Sequence, residues 1–300
     1  MAKLRVLITA SDFGKITGLD EHVESLFDVT YSRTPPQGED FDAIIAGTAP
    51  LTPLQLAQIP SLEVIARIGV GYDNVPLDWC KENGITATYT PYAPRAAVAE
   101  FTVGLMLAGI RRFQDNRTLG WQRYHGRQLS ELSVGIIGNG RIGSTVADMV
   151  RPWCRELYVN DILPERSQDT IDDLVAFCDI VTLHIPGGAE NDNFMDKSLF
   201  SQMKSNAMFI NTSRGSVVNE DDLAYWLGWN ADAYACIDVF KEEPYNGPLR
   251  NMANVLLTPH MASCTRKSRF DMENGAISAV QSILGGWKLN RSMDGWEVLV

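Results

Sequence analysis

Nowhere in the 300 residues do two cysteines stand in C-x-x-C spacing. The five cysteines, Cys80, Cys154, Cys178, Cys236 and Cys264, are odd in number and scattered. That argues against a disulfide framework and fits a reducing, cytoplasmic setting. Cys264 is read as a small apolar filler rather than a reactive thiol. Long apolar runs are missing too. None reaches the length needed to span a bilayer, and the opening residues MAKLRVLITASDF carry no long apolar h-region. Positive charge is scarce, with 26 Lys and Arg against 37 Asp and Glu, a net charge of −11 and a pI near 4.9. Nucleic acid and anionic membrane both select basic surfaces, so neither is expected as a partner. No metal is expected either. What is present is a hydrophobic fraction of 45%, ordinary for a globular protein, and a length that predicts two domains at about 150 residues each.

The stretch around which the chain is organised is VGIIGNGRIG, Val134–Gly143. An apolar run of the kind a buried parallel strand shows leads into G-x-G-x-x-G, and an amphipathic helix is predicted over Arg141–Val150. Gly138 permits the tight turn, Gly140 lets backbone approach a pyrophosphate, and Gly143 lets helix pack on strand. The phosphates are expected at the helix N-terminus, beside Arg141 and Ile142, where N–H groups and the macrodipole favour anions. A second strand, Leu157–Asn160, runs into Asp161, 21 residues after Gly140. That is where an acid contacts the adenosine ribose hydroxyls. Ile162-Leu163-Pro164 offer no cation for a 2′-phosphate, so the expected cofactor is NAD rather than NADP.

Either side of this unit, strand and helix signals alternate, which predicts parallel sheets with crossovers. In the first part, strands are predicted at Leu4–Thr9, Val29–Ser32, Ala43–Ala46 and Val64–Arg67, and helices at Gly18–Leu26, Thr52–Ile59 and Leu77–Asn83. A long apolar-rich helix, Ala96–Phe113, follows, then a polar irregular stretch, Asp115–Glu131. Later strands are predicted at Ile180–Leu183, Met208–Asn211, Ala233–Asp238 and Val255–Leu257. Helices are predicted at Ile171–Phe177, Lys197–Met203 and Glu220–Trp229, with a last one at Arg266–Leu284.

Ligands of open parallel sheets bind outside the carboxyl ends of the strands, so the polar residues just after strands are candidates for chemistry. Three such segments stand in the second half: Asn211-Thr212-Ser213-Arg214-Gly215, Asp238 to Pro244, and Thr258-Pro259-His260. A hydride transfer at a hydroxyl carbon needs a cation for the substrate carboxylate, which Arg holds bidentately. It also needs an acid/base for the hydroxyl proton, a task suited to His, and a carboxylate beside that His orients the ring. His22, His125 and His184 are read as structural.

In FINTSRGSVVNEDDL (209–223), IDVFKEEPYNGPL (237–249), NVLLTPHMAS (254–263), VGIIGNGRIG and ARIGVGYDNV (66–75), the chain resembles the D-isomer-specific 2-hydroxyacid dehydrogenase family. It is most similar to the phosphoglycerate dehydrogenase-like members. The resemblance runs from about Ala43 to about Gly285. It implies Arg214 as binder of the substrate carboxylate and carbonyl, His260 as acid/base and Glu243 as its partner. It implies Thr212 and Asp238 as cofactor contacts, Asp238 at the nicotinamide carboxamide. Backbone amides of Val70 and Gly71 are implied to hold the substrate carboxylate. The implied fold is α/β, with two Rossmann-like domains on parallel sheets. The cofactor domain, 96–267, is inserted into a substrate-binding domain of 1–95 and 268–300. A homodimer with the helix Ala96–Phe113 at its interface is implied as well.

Departures bear on the substrate. True phosphoglycerate enzymes carry an Arg-Ser pair after the third strand, where phosphate docks; here that place reads Ala46-Gly47-Thr48-Ala49-Pro50. Arg95 and Arg67 are the cations that could compensate. The expected reaction is hydride transfer between nicotinamide and a small D-2-hydroxy or 2-keto acid of the phosphoglycerate, hydroxypyruvate or glyoxylate class. The alternative is an NADH-sensing binding protein of corepressor type, and the strongly acidic charge favours the enzyme. The tail Trp287–Val300 does not match the family ending.

Overall fold

Apolar residues at both odd and even positions of a strand make sense only if both faces of the sheet are covered. That is the arrangement in a computed structural model of the chain, which describes residues 3–113, 124–286 and 295–300. The chain divides into two compact units, Met1–Pro94 with Cys264–Val300, and Arg95–Ser263.

The first unit opens with β1 (Arg5–Ile8), α1 (Asp20–Leu26), β2 (Asp28–Tyr31), β3 (Ala43–Ala46), α2 (Pro53–Leu56), β4 (Val64–Arg67), α3 (Leu77–Glu82) and β5 (Thr86–Tyr89). The second runs α4 (Arg95–Ile110), β6 (Ser133–Ile137), α5 (Arg141–Val150), β7 (Glu156–Asn160), α6 (Ile171–Phe177), β8 (Ile180–Leu183), α7 (Lys197–Gln202), β9 (Met208–Asn211), α8 (Glu220–Trp229), β10 (Tyr234–Ile237) and β11 (Val255–Leu257). The chain then returns to the first unit with α9 (Arg266–Leu284) and β12 (Glu297–Val298). The predicted irregular stretch Asp115–Glu131 lies partly outside the described residues; within them, Leu129–Glu131 forms a 3-10 turn. β5 and β12 were not expected from the sequence.

The second unit's sheet is parallel throughout, in the order β11-β10-β9-β8-β6-β7. Strand order reverses at β6, whose neighbours are β7 and β8, so the glycine loop that follows β6 sits at a topological switch point. Alternate residues of one strand enter different cores. Val181, Leu183, Phe209 and Ile237 join one cluster, and Ile180, Ile136, Ile210 and Cys236 the other. α4 packs against α5, β9 and β10. It stops at Ile110, short of the expected Phe113, where Arg112 turns left-handed at φ 49.

The first unit's sheet has the order β12-β5-β4-β3-β1-β2 and is parallel except for β12, which runs antiparallel to β5. Its strands divide their side chains in the same way, Val6, Ile8 and Ile45 to one face, Leu7, Ile44 and Ile65 to the other. α9 packs on β3, β4 and β5. Its buried Glu273 accepts from Arg269 at 2.8 Å, Thr17 at 2.5 Å and the Gly14 amide at 3.2 Å, which ties the helix to the loop after β1. Cys80, Cys154, Cys178 and Cys236 are free thiols. Burial pushes Cys80 up to about 11 and Cys178 up to about 12. Cys264, expected as an apolar filler, is instead exposed, because it lies on the connection that leads into α9. Among the described residues no helix is long and apolar enough to cross a membrane.

Candidate active site

The turn after β6 shows why three glycines stand where they do. Gly138 adopts φ +92, a left-handed region that disfavours side chains, and its amide donates to Asn160 O at 2.8 Å. A side chain on Gly143 would collide with the Gly138 carbonyl, so α5 can begin this close to the strand only with glycine there. Beside Gly140 the situation is opposite: no heavy atom lies within 4 Å of where a Cβ would stand. No side chain caps α5, which starts at Arg141 and Ile142. An open cradle at an uncapped helix N-terminus fits a pyrophosphate. Asp161 is tied to the same turn: its Oδ2 accepts from the Asn139 amide at 2.6 Å and its Oδ1 from the Leu163 amide at 2.9 Å. Ile162 beyond it is 94% exposed. These residues together fit a dinucleotide with its ribose at Asp161.

Two loops further along the same sheet edge carry the other candidates. After β9, Asn211 folds the chain back on itself. Its Oδ1 accepts from the Ser213 amide at 3.0 Å and hydroxyl at 2.8 Å, while its Nδ2 donates to Arg214 O at 2.7 Å. The Arg214 side chain is half-buried and donates from Nη1 to Ser213 O at 2.6 Å. Gly215 follows because a side chain there would strike the Phe240 backbone. The loops bearing Arg214 and Glu243 thus touch through bare backbone. In the loop after β10, Glu243 Oε1 accepts from the Phe240 amide at 3.1 Å, and its Oε2 meets His260 Nδ1 at 2.9 Å. The pair joins the loop after β10 to the segment after β11.

His260 is one of three non-glycine residues among those described with positive φ, at 48. Such a backbone costs on the order of 1–3 kcal/mol and persists only where surroundings hold it. Asp238 is that hold. It is fully buried, accepts from Thr258 Oγ1 at 2.6 Å and from the Met261 and Ala262 amides at 2.9 Å each, and its carbonyl takes the His260 amide at 2.8 Å. The expected contact of Asp238 with a carboxamide therefore meets a carboxylate already engaged by the His260 loop. Hydrogen bonds of this kind have no sequence signal beyond the motif itself. Thr212 is buried too, its hydroxyl 2.9 Å from that of Thr102 on α4.

His184, read as structural, follows β8 directly, beside the glycine turn. Its amide donates to Ile137 O at 2.7 Å, its Nε2 lies 3.2 Å from the Thr182 hydroxyl, and its buried Nδ1 has no partner. Burial pushes this imidazole down to about 3, so it is neutral. Arg95, the first residue of α4, is exposed.

In the first unit, Val70 and Gly71 follow β4 at the carboxyl edge of that sheet. Thr90 clamps the loop's start: the Gly69 amide donates to its Oγ1 at 2.7 Å, and its own amide donates to Gly69 O at 3.1 Å. Asn74 clamps the end, donating from Nδ2 to Gly47 O and Ala49 O at 2.9 Å each and accepting from Arg67 Nε at 3.2 Å. The Arg67 guanidinium lies against Gly69. Among the described residues no group of three His, Cys, Asp or Glu side chains is placed to hold a metal.

Residues 103–262, within the second unit, match the family model described as D-isomer specific 2-hydroxyacid dehydrogenase, NAD binding domain. A Staphylococcus aureus (strain USA300) protein assigned to the 2-hydroxyacid dehydrogenases is 35% identical over 242 residues, 73% of this chain and 76% of that protein. Among solved structures, D-lactate dehydrogenase from Aquifex aeolicus, complexed with NAD and lactic acid, aligns with a TM-score of 0.83 at 24% identity, over 94% of this chain and 96% of that one. An NADPH-dependent glyoxylate/hydroxypyruvate reductase from Sinorhizobium meliloti, complexed with NADP and malonate, aligns at 0.82 and 24%, over 95% of each chain. These two are likenesses of fold, and they show that proteins of this fold differ in both acid and cofactor.

Proposed function

The chain belongs to the D-isomer-specific 2-hydroxyacid dehydrogenase family, and from that premise we propose which acid it turns over and which residues do the work. As a member it is an NAD-dependent oxidoreductase of small D-2-hydroxy acids and their 2-keto forms. NAD, when bound, supplies the carbon that gives or takes the hydride. The glycine turn Gly138–Gly143 and Asp161 hold it, with Arg141, Ile142 and Thr212 alongside. Asp161 accepts from ribose hydroxyls and repels a 2′-phosphate, which supports NAD over NADP.

His260 exchanges a proton with the substrate oxygen through Nε2, while Glu243 holds the ring by Nδ1 and balances the imidazolium that forms in oxidation. Arg214 pairs with the substrate carboxylate and polarises the carbonyl. The role proposed for the amides of Val70 and Gly71, in the first unit, is to bind a substrate carboxylate. The observation that carries this reading is the 2.9 Å pair of His260 and Glu243, set on the same sheet edge as the open glycine cradle. A second anchor on Asp238 fixes the His260 loop from below.

The substrate proposed is a 2-keto acid with a small polar substituent, such as glyoxylate or hydroxypyruvate. A buried phosphate dianion needs paired cations. Gly47–Pro50 carries none, and the carbonyls of Gly47 and Ala49 are turned to Asn74. Arg67 brings one cation to that edge, enough for a single carboxylate. Arg269 is committed to Glu273 and Asp12. The test is turnover of a panel of 2-keto acids with NADH and with NADPH. Hydroxypyruvate is expected to match or exceed phosphohydroxypyruvate in kcat/KM, and NADH to exceed NADPH. A hundredfold preference for the phosphorylated compound, lost in Arg95→Ala, would mean that Arg95 holds a phosphate and that this substrate reading is wrong.

A homodimer built on the second unit is part of the same reading. Exposed Phe113 just past α4, Tyr124 and Trp153 support an apolar contact surface there. A monomer mass in sedimentation at micromolar concentration would remove it.

A further inference from the structure

The C-terminal segment Gly295–Val300 reaches the carboxyl edge of the first unit's sheet, where Val70 and Gly71 lie. Trp296 is 1% exposed and buried among side chains of β1, β3, β4 and α9. That burial anchors the segment, and β12 then pairs with β5, Glu297 opposite Tyr89 and Val298 opposite Thr88. Two further backbone bonds, Leu299 N–H to Ala87 O at 2.8 Å and Ala87 N–H to Val300 O at 3.1 Å, extend the ladder. Without β12, β5 would be the open edge of the sheet. Glu297 ends up where β5 stops and the chain turns toward Thr90. Its carboxylate accepts two phenol hydroxyls, Tyr89 on Oε2 at 2.9 Å and Tyr92 on Oε1 at 2.5 Å. Hydrogen bonds to a carboxylate are roughly twice as strong as neutral ones, so both rings are held firmly.

Those rings frame the loop after β4. Tyr72 of that loop meets the Tyr89 ring edge-on, with centroids 5.6 Å apart at 88°. Thr90, between the two tyrosines that Glu297 holds, makes the reciprocal pair with Gly69. Backbone amides can grip a carboxylate only if their direction is set beforehand. We propose that Glu297 is a positioning residue for the Gly69–Asp73 loop, acting through Tyr89 and Tyr92, so that the C-terminal segment sets how tightly the 2-keto acid is held. The proposal rests on the reading that Val70 and Gly71 bind the substrate carboxylate. It gives Gly295–Val300 a role that the sequence did not suggest, residues 287–294 of that tail lying outside the described residues.

The experiment combines kinetics with hydrogen exchange. Glu297→Ala is expected to raise KM for hydroxypyruvate about fivefold or more, with kcat and the KM for NADH within about twofold. Amides of residues 69–73 should exchange faster, and those of the second unit should not change. Glu297→Gln keeps one acceptor oxygen and should recover part of the loss. Tyr89→Phe with Tyr92→Phe should reproduce the Glu297→Ala effect, and the triple variant should add little, since groups that act as a unit are not additive. Unchanged KM with unchanged exchange at 69–73 would overturn the proposal, as would additive losses in the triple variant. If the unmodified protein turns over no 2-keto acid, the oxidoreductase reading fails, and the exchange pattern alone still decides whether Glu297 orders the loop.

Discussion

The two units have nearly the same frame and use it differently. Each has a six-stranded sheet dominated by parallel pairs, a switch in strand order, and a polar carboxyl edge. In the second unit that edge is armed with side chains: Arg214, Glu243 and His260 stand on loops fixed by Asn211, Phe240 and Asp238. In the first unit the edge offers backbone, the Gly69–Gly71 loop, and its polar side chains serve as clamps. Asn74 and Thr90 spend their hydrogen bonds on neighbouring loops. On the proposed function, one unit holds reacting groups in place, and the other holds a shape in place. Losses should therefore differ in kind: changes on the second unit's edge should remove catalysis, and changes on the first unit's edge should loosen binding.

The largest expected effect is that of His260→Ala. Removing a general acid/base costs about 100- to 10,000-fold in turnover, and here KM and melting temperature should move little, because the ring is exposed and the loop is pinned by Asp238. Near-normal kcat in this variant would take His260 out of the mechanism and dissolve the contrast. Asn74→Ala should act the other way. It removes the partner of the Gly47 and Ala49 carbonyls and of Arg67 Nε, and a lost half-buried hydrogen bond costs about 0.5–1.5 kcal/mol. The expected result is a KM for the keto acid raised about tenfold, with kcat within about threefold. A variant of Asn74 that lost kcat and kept KM would show that the first unit also carries catalytic groups.

Much of this was legible in the sequence, and the exceptions have physical causes. Strands such as Ile180–Leu183 and Met208–Asn211 announce themselves because both parities are apolar and both faces are buried. β5 did not, because Thr86-Ala87-Thr88-Tyr89 mixes polar and apolar residues; Thr88 is nonetheless buried, its backbone held by its neighbours. β12 could not be read at all. Two residues carry no period, and its partner lies some 200 residues away in the chain. His260 and the acidic segment Asp238–Pro244 were readable because both follow strands, the family resemblance singled out Glu243 within that segment, and the 2.9 Å contact joins Glu243 to His260. Asp238 was legible as a residue of interest. Its engagement with Thr258, Met261 and Ala262 was not, since which partner saturates a carboxylate is decided by loop geometry.

The smallest effect concerns how each unit keeps a buried ionisable group. The first unit pairs its buried carboxylate, Glu273, with Arg269, Thr17 and the Gly14 amide. The second leaves His184 neutral, with Nδ1 unpartnered, next to the glycine turn. Burial pushes His184 down to about 3 in the folded chain, against about 6.5 in an unfolded one. The sign follows. Below about pH 6.5 the unfolded chain takes up a proton that the folded chain refuses, so stability is lost as pH falls from about 6.5 toward 3. The slope from this one group cannot exceed about 1.4 kcal/mol per pH unit. His184→Asn keeps a polar group near Thr182 and removes the titration. Urea midpoints of the variant should therefore fall less than those of the unmodified protein between pH 7 and pH 5, while at pH 7.5 the two should lie close. The difference between the two curves is the quantity to read, because carboxylates elsewhere titrate equally in both. Parallel curves would mean that His184 gains a proton in the folded state as easily as in the unfolded one, and that the glycine turn rests on a solvated ring rather than a dry one.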